Sequence, residues 1–316
     1  MAALDTPTAA ETAAPRARAG GTEPLAGRLG LSVPYDWWPS APLLKSYEAA
    51  GFAWVQLQSP PASVLSDPRQ SNRHAAAIDA ALANTGLRSV IHGPGTLRLG
   101  TRATDRAMEG LLSYAAEIGA EQVVYHAMAL PEGLENQPAL TAEANALARI
   151  APAAERLDVT IAIENLAPLY PGPESASAAP STLRALAQRV GSPRVALCLD
   201  LGHAHIVADS RHTSVDRLCE PVLDAVSVLH LHDNLGARRK PHGAELGVDP
   251  LRLDLHLPPG RGTLPWQLVG PLLRRHRAPM LLEVHPPYRP RAGELAASAV
   301  ALLRARQTKP GNGVSA

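Results

Sequence analysis

The feature that most constrains this chain is its rhythm: short apolar runs alternate with longer Ala/Leu-rich stretches, eight times over. The runs fall at 28–33, 52–58, 88–92, 122–126, 159–164, 195–200, 226–230 and 280–283. Each is short and apolar enough to be a buried strand. Between them, stretches such as 73–85, 103–118, 140–157, 182–190 and 264–276 carry apolar residues at helical spacing. Gly51, Gly86 and Gly119 follow three helical stretches, where a left-handed C-terminal cap is expected. Strict alternation implies a parallel sheet, and eight units predict closure into a single-domain α/β fold, the (β/α)8 TIM barrel. An open doubly wound sheet usually carries a Gly-rich phosphate loop after its first strand. Here that strand runs into Pro34, Tyr35, Asp36, Trp37 and Trp38 instead.

A barrel of this kind takes about 250 residues, which leaves room for tails in a chain of 316. Residues 1–26 read as a disordered N-terminal tail, 27–306 as the catalytic barrel and 307–316 as a flexible C-terminal tail. Aromatic residues make up only 3% of the chain, so Ala, Leu and Val must fill the core. A net charge of +1 gives no sign of a nucleic-acid or membrane surface. No apolar run approaches the roughly 20 residues of a bilayer span, and the first residues lack a secretory pattern. Cys198 and Cys219 form neither a disulfide framework nor a metal knuckle, so a cytoplasmic location is expected.

Active sites of barrels sit at the C-terminal ends of the strands. The third run ends at His92, the fourth at His126, the fifth at Glu164 and the sixth at Asp200, with His203 just beyond. The seventh ends at His230 and the eighth at Glu283; the loop between them adds Asp254 and His256. A single strand-end histidine is usually a satisfied polar residue. A carboxylate at the edge of a core is harder to dismiss, because it needs a compensating charge. Six successive strands ending in ligand-type residues point to a divalent-metal site.

Other residues carry weaker signals. Asp233 reads as a carboxylate orienting a ligand, and His232, His205 and His285 as structural or substrate-facing. Cys198 reads as a small barrel-core residue and only weakly as a nucleophile. Trp37 and Trp38 have the chemistry to stack on a sugar or simply to pack on the rim. Gln56 and Gln58 are weak candidates for bonding a polar ligand.

As a set, HGP after the third strand, IEN after the fifth, LCLDLGH at the sixth, HLHDN at the seventh and the following DLHLPPGRGTLPW resemble the xylose-isomerase-like TIM-barrel superfamily. That superfamily includes the sugar phosphate isomerase/epimerase group and endonuclease IV type AP endonucleases. The resemblance covers residues 28–303. It implies, for endonuclease-like members, three zinc ions: one on His92, His126 and Glu164, a second on Glu164, Asp200, His230 and Glu283, a third on His203, Asp254 and His256. For isomerase members it implies only the second group, holding one Mn, Co, Mg or Zn ion. The chain departs from the nuclease pattern: Gly95 stands where the nuclease has a DNA-gripping tyrosine, and Asn165-Leu166-Ala167-Pro168 and HDNLG replace two further nuclease motifs.

The resemblance therefore implies a metal-dependent isomerase or epimerase of a small sugar, sugar phosphate or related polyhydroxylated carbonyl compound. Glu164 and Glu283 would be base and acid across an enediolate, and His203 would stabilise charge on oxygen. Arg98, Arg261, Trp37 and His232 are the expected substrate-binding residues. A multi-zinc phosphoesterase is the alternative, followed by a non-catalytic barrel subunit. The expected partner is a small polar molecule, with self-association left open and no nucleic acid or membrane. Specificity is expected in the loops 168–180 and 235–250.

Overall fold

The structure, a computed structural model, describes residues 25–33, 36–127, 137–168, 175–237 and 253–305. Almost all of the two expected tails, and much of the loops 168–180 and 235–250, lie outside these residues. The strands are β1 Leu29–Ser32, β2 Trp54–Gln58, β3 Arg88–His92, β4 Gln122–His126, β5 Thr160–Glu164, β6 Val195–Asp200, β7 Val226–Leu231 and β8 Met280–Leu282. Each pairs in parallel with the next, and β8 closes on β1. The helices are α1 Ala41–Ala49, α2 Ala62–Leu65, α3 Pro68–Leu82, α4 Arg102–Glu117, α5 Gln137–Leu157, α6 Pro180–Val190, α7 Leu201–Ser210, α8 Val215–Cys219, α9 Trp266–Arg275 and α10 Ala292–Arg304. The fold is the expected (β/α)8 barrel. No helix among the described residues is long and apolar enough to cross a membrane.

Local chemistry explains where the elements depart from expectation. α3 starts earlier than its apolar pattern, because Asp67 caps it by accepting from the Arg69 and Gln70 amides and Pro68 takes its first position. It also ends at Leu82, so Gly86 is not its cap; the Gly86 amide donates to the Glu48 carboxylate instead. Gly51 and Gly119 do adopt the left-handed conformation expected of them.

The pleat of the strands sets the layers inside the barrel. Trp54, Val90, Val124, Ala162, Cys198, Val228 and Leu281, one from each of β2 to β8, form one buried cluster. β1 contributes Gly30 to this layer, where a Cβ would stand 2.4 Å from Leu281 Cδ2 and 2.7 Å from Trp54 Cβ. Side chains alternate with a period of two. The next inward layer, at the C-terminal rim, is therefore Ser32, Gln56, His92, His126, Glu164, Asp200, His230 and Glu283. Register reinforces this, with His126 opposite Glu164 and Asp200 opposite His230. The outward residues, such as Ile91, Tyr125, Ile163 and Leu229, pack with helix residues such as Leu111 and Leu147 in the main core. Each large apolar side chain buried there stabilises the fold by about 1.5–3 kcal/mol.

Candidate metal centre

Three carboxylates converge on one fully buried imidazole. Nδ1 of His230 lies 3.1 Å from Oε1 of Glu164, 3.5 Å from Oε2 of Glu283 and 3.7 Å from Oδ2 of Asp200. One ligand atom from each of these four residues lies within 4.8 Å of the others. Two further groups flank them. His126 and His92 reach Oε2 of Glu164 at 2.9 and 3.5 Å. On the other side, His203 and His256 reach Oδ2 of Asp254 at 3.4 and 3.0 Å. The sequence placed all nine of these residues at the mouth, and the structure brings all nine together.

The imidazoles are oriented from behind. Nδ1 of His92 donates to the Gly93 carbonyl at 2.9 Å, Nδ1 of His203 to the Asn165 carbonyl at 2.8 Å, and Nδ1 of His256 to the Glu283 carbonyl at 2.8 Å. Nε2 of His230 donates to Oε1 of Gln56 at 2.8 Å. A carbonyl oxygen can only accept, so each of these nitrogens carries a hydrogen and the opposite nitrogen turns toward the carboxylates. This pattern of a rear hydrogen bond fixing the tautomer is what a metal-binding histidine needs. Asp200 is held as firmly: one oxygen accepts from the His203 amide at 2.7 Å, capping α7, and the Asn165 side chain bonds both its backbone groups.

Electrostatics supplies the test of fit. Burial by itself favours protonated Glu164, yet His230 and His126 hold its carboxyl well below the usual range. Burial opposes ionisation of Asp254 and Asp200 too, and nearby histidines again win, lowering both. The imidazoles answer in kind. Burial disfavours their cations, but the carboxylates push His230 and His256 up to about 9 and raise His203 and His92. Left to itself, the chain neutralises its buried carboxylates with protons on imidazole nitrogens; a divalent cation fits the same need. Carboxylate-rich sets such as the central one suit Mn or Mg, and imidazole suits Zn.

His232 differs from the other histidines. Its Nε2 sits 3.1 and 3.2 Å from the two oxygens of Asp200, while its Nδ1 has no hydrogen-bond partner. The ring stacks on His256 at 4.0 Å and is fully buried. Gly202 makes room for it: a Cβ there would stand 2.0 Å from Cε1 of His232. Gly202→Ala is expected to cost about 1–3 kcal/mol of stability through overpacking, measured by chemical denaturation. An unchanged midpoint would show that the His232 ring is free to move aside.

The remaining candidates lie elsewhere. Trp37 packs on the His74 ring at 4.8 Å, and His74 bonds the Trp37 carbonyl and the Tyr114 hydroxyl. Arg98 folds back on the carbonyls of Gly95 and Leu97. Arg261 is exposed, on the wall of a cavity of about 680 Å³ beside Tyr288 and α10. His205 bonds the Thr263 hydroxyl. Asp233 touches none of the nine residues through its carboxylate. It receives the Gly260 and Leu264 amides and the Trp266 indole, and so anchors the loop that follows His256. Cys198 lies in the layer beneath the site, within 4.8 Å of ligand atoms of Glu164 and His230, and burial with the surrounding carboxylates pushes its thiol well up, which argues against an activated nucleophile.

Gln56 matters more than its sequence signal suggested. It accepts from His230 and donates to Oε1 of Glu283 from a fully buried position. Its place two residues beyond the inward-facing Trp54 was the available clue. Arg289 was missed outright: its guanidinium donates to the carbonyls of Ser32 and Val284 and to the Tyr47 hydroxyl, tying the loop after β8 to β1 and α1.

The family described as xylose isomerase-like TIM barrel matches residues 44–306. Among solved structures the fold is similar to a D-tagatose 3-epimerase-like protein, with a TM-score of 0.65 and 17% identity over 87% of this chain and 96% of that one. It is also similar to a xylose isomerase domain protein from Planctomyces limnophilus, with a TM-score of 0.64 and 18% identity over 87% and 95% of the two chains. A third is the IolI protein with a bound zinc atom, with a TM-score of 0.62 and 15% identity over 87% and 96%. No curated protein matches the chain in sequence.

Proposed function

The chain belongs to the xylose isomerase-like TIM barrel family, and from that premise we propose that it is a divalent-metal-dependent isomerase or epimerase. Its substrate class is a small sugar, a sugar phosphate or a related polyhydroxylated carbonyl compound. The observation that carries this reading is the convergence of Glu164, Asp200 and Glu283 on His230, from the ends of β5, β6 and β7 and the residue just past β8, at one mouth. The epimerase-like, isomerase-domain and zinc-binding descriptions of the similar structures agree with it.

Glu164, Asp200, His230 and Glu283 would hold the ion, which when bound supplies Lewis-acid polarisation of a substrate carbonyl. The chain's own residues then manage the proton. Gln56 fixes one oxygen of Glu283, leaving Oε2 toward the centre, so Glu283 is oriented to remove a proton from the carbon beside the carbonyl. Glu164, ionised at rest on the opposite side of the mouth, would take a proton from a substrate hydroxyl or solvent and return it to the other face of the enediolate. Rear hydrogen bonding keeps a nitrogen of His203 directed inward to stabilise charge on substrate oxygen.

A second reading, a multi-zinc phosphoesterase, is favoured by the two flanking groups, since each already gathers three or more donors within 4.8 Å. Elemental analysis of protein purified without chelator or His tag separates the two. The isomerase reading expects about one ion per chain and proton exchange into a ketose or aldose. About three zinc ions per chain, with cleavage of abasic DNA and no proton exchange, would overturn it.

A further inference from the structure

Two glutamines share one face of β2 and differ in what they bond. Trp54, Gln56 and Gln58 fall on the inward face of that strand, which alternates with a period of two. Gln56 is fully buried and its amide is committed at both ends, accepting from His230 and donating to Glu283. Gln58 is half-buried, and among the described residues its side-chain amide has no hydrogen-bond partner. It lies two residues closer to the open end of the barrel, about 6–7 Å farther along the strand. An uncommitted amide thus stands one layer above the residue that locks His230 and Glu283.

The backbone of Gln58 is fixed although its side chain is free. Gln58 pairs in register with His92 of β3, and the following amide, of Ser59, donates to the His92 carbonyl at 2.9 Å. His92 itself belongs to the cluster, with Nε2 at 3.5 Å from Glu164. Gln58 therefore borders the mouth beside His92 and above Gln56. A carboxamide offers donors and an acceptor and carries no charge. A hydroxyl has the same dual character, so the two match in both directions. A phosphate or carboxylate group would use only the N–H donors and gain nothing from the amide oxygen.

We propose that Gln58 is a specificity-determining residue whose amide holds one hydroxyl of a polyhydroxylated substrate, beyond the oxygens that meet the cluster of Glu164, Asp200, His230 and Glu283. This rests on the isomerase or epimerase reading and narrows it: the substrate carries an unmodified hydroxyl on the side of the mouth formed by β2 and β3. Because Gln58 is half-buried, water can take the place of a missing hydroxyl. The discrimination is therefore modest, about 2–10-fold, as for a neutral hydrogen bond.

The probes are a panel of ketoses, aldoses and their phosphates, titrated calorimetrically into the metal-replete full chain, then the singly deoxygenated forms of whichever binds most tightly. The parent protein is expected to lose about 2–10-fold in affinity when one particular hydroxyl is removed. Gln58→Leu should lose the same factor on the intact sugar and nothing further on that deoxy sugar, since both changes break the same pair. A role in stability alone would weaken every sugar equally and leave the parent's deoxy pattern unaltered. That result, or undiminished affinity in Gln58→Leu, would overturn the assignment and leave the isomerase reading in place. Gln58→Ala repeats the comparison where leucine disturbs the rim, with melting temperature and metal content as controls on both variants. A parent chain that binds none of the panel would remove the isomerase reading itself, and this assignment with it.

Discussion

Glu283→Gln is expected to lower turnover by about 10²–10⁴-fold, the usual contribution of a positioned acid or base. The amide keeps the size of the side chain and an oxygen that can still face the ion. What it loses is the ability to take a proton. The surroundings favour this outcome over collapse, because the side chain sits at the open edge of the cluster, 11% exposed, with the neighbouring Gln56 in place to bond it. Solvent deuterium incorporation at the reacting carbon, read with metal content on the same sample, checks it. Full exchange with a competent substrate would sink the acid/base assignment, whatever the metal content.

Glu164→Ala should do more damage, costing both metal and activity. Its carboxylate is the hub of the cluster, with His126, His230, His92 and His203 all within 3.6 Å of it. Removing one partner from such a buried charge network typically costs about 3–5 kcal/mol. The variant is therefore expected to bind little metal after dialysis and to melt earlier than the parent. Glu164→Gln separates the two effects: it should restore much of the melting temperature but not the metal. Normal metal content in either variant would remove Glu164 from the ligand set.

The sequence was most informative where local rules were strongest. β3, β4 and β6 fall where the apolar runs put them, because each run is bounded by its own polar or turn residues. The ligand-type residues were legible for the same reason: they sit two positions beyond inward-facing Val90, Val124, Ala162, Cys198 and Val228. Asp233 was legible as important but not in its role. Nothing in HLHDN reveals that this carboxylate takes its hydrogen bonds from Gly260, Leu264 and Trp266, about thirty residues on. Gln56 was equally opaque, since an amide at a strand end reads the same whether it meets water or locks a histidine.

The amino-acid order by itself determined the barrel and the composition of its rim layer, because a period of two along each strand fixes which side chains point inward. Only the tertiary structure decided which nitrogen of His92, His203, His230 and His256 faces the carboxylates and how closely the nine residues approach one another. It decided too that Trp37 and Arg98 pack on their surroundings rather than on that cluster. The physical reason is that a side chain's rotamer and tautomer are set by its hydrogen-bond partners. Here those partners arrive from other strands, as Gln56 does for His230 across 174 positions of chain.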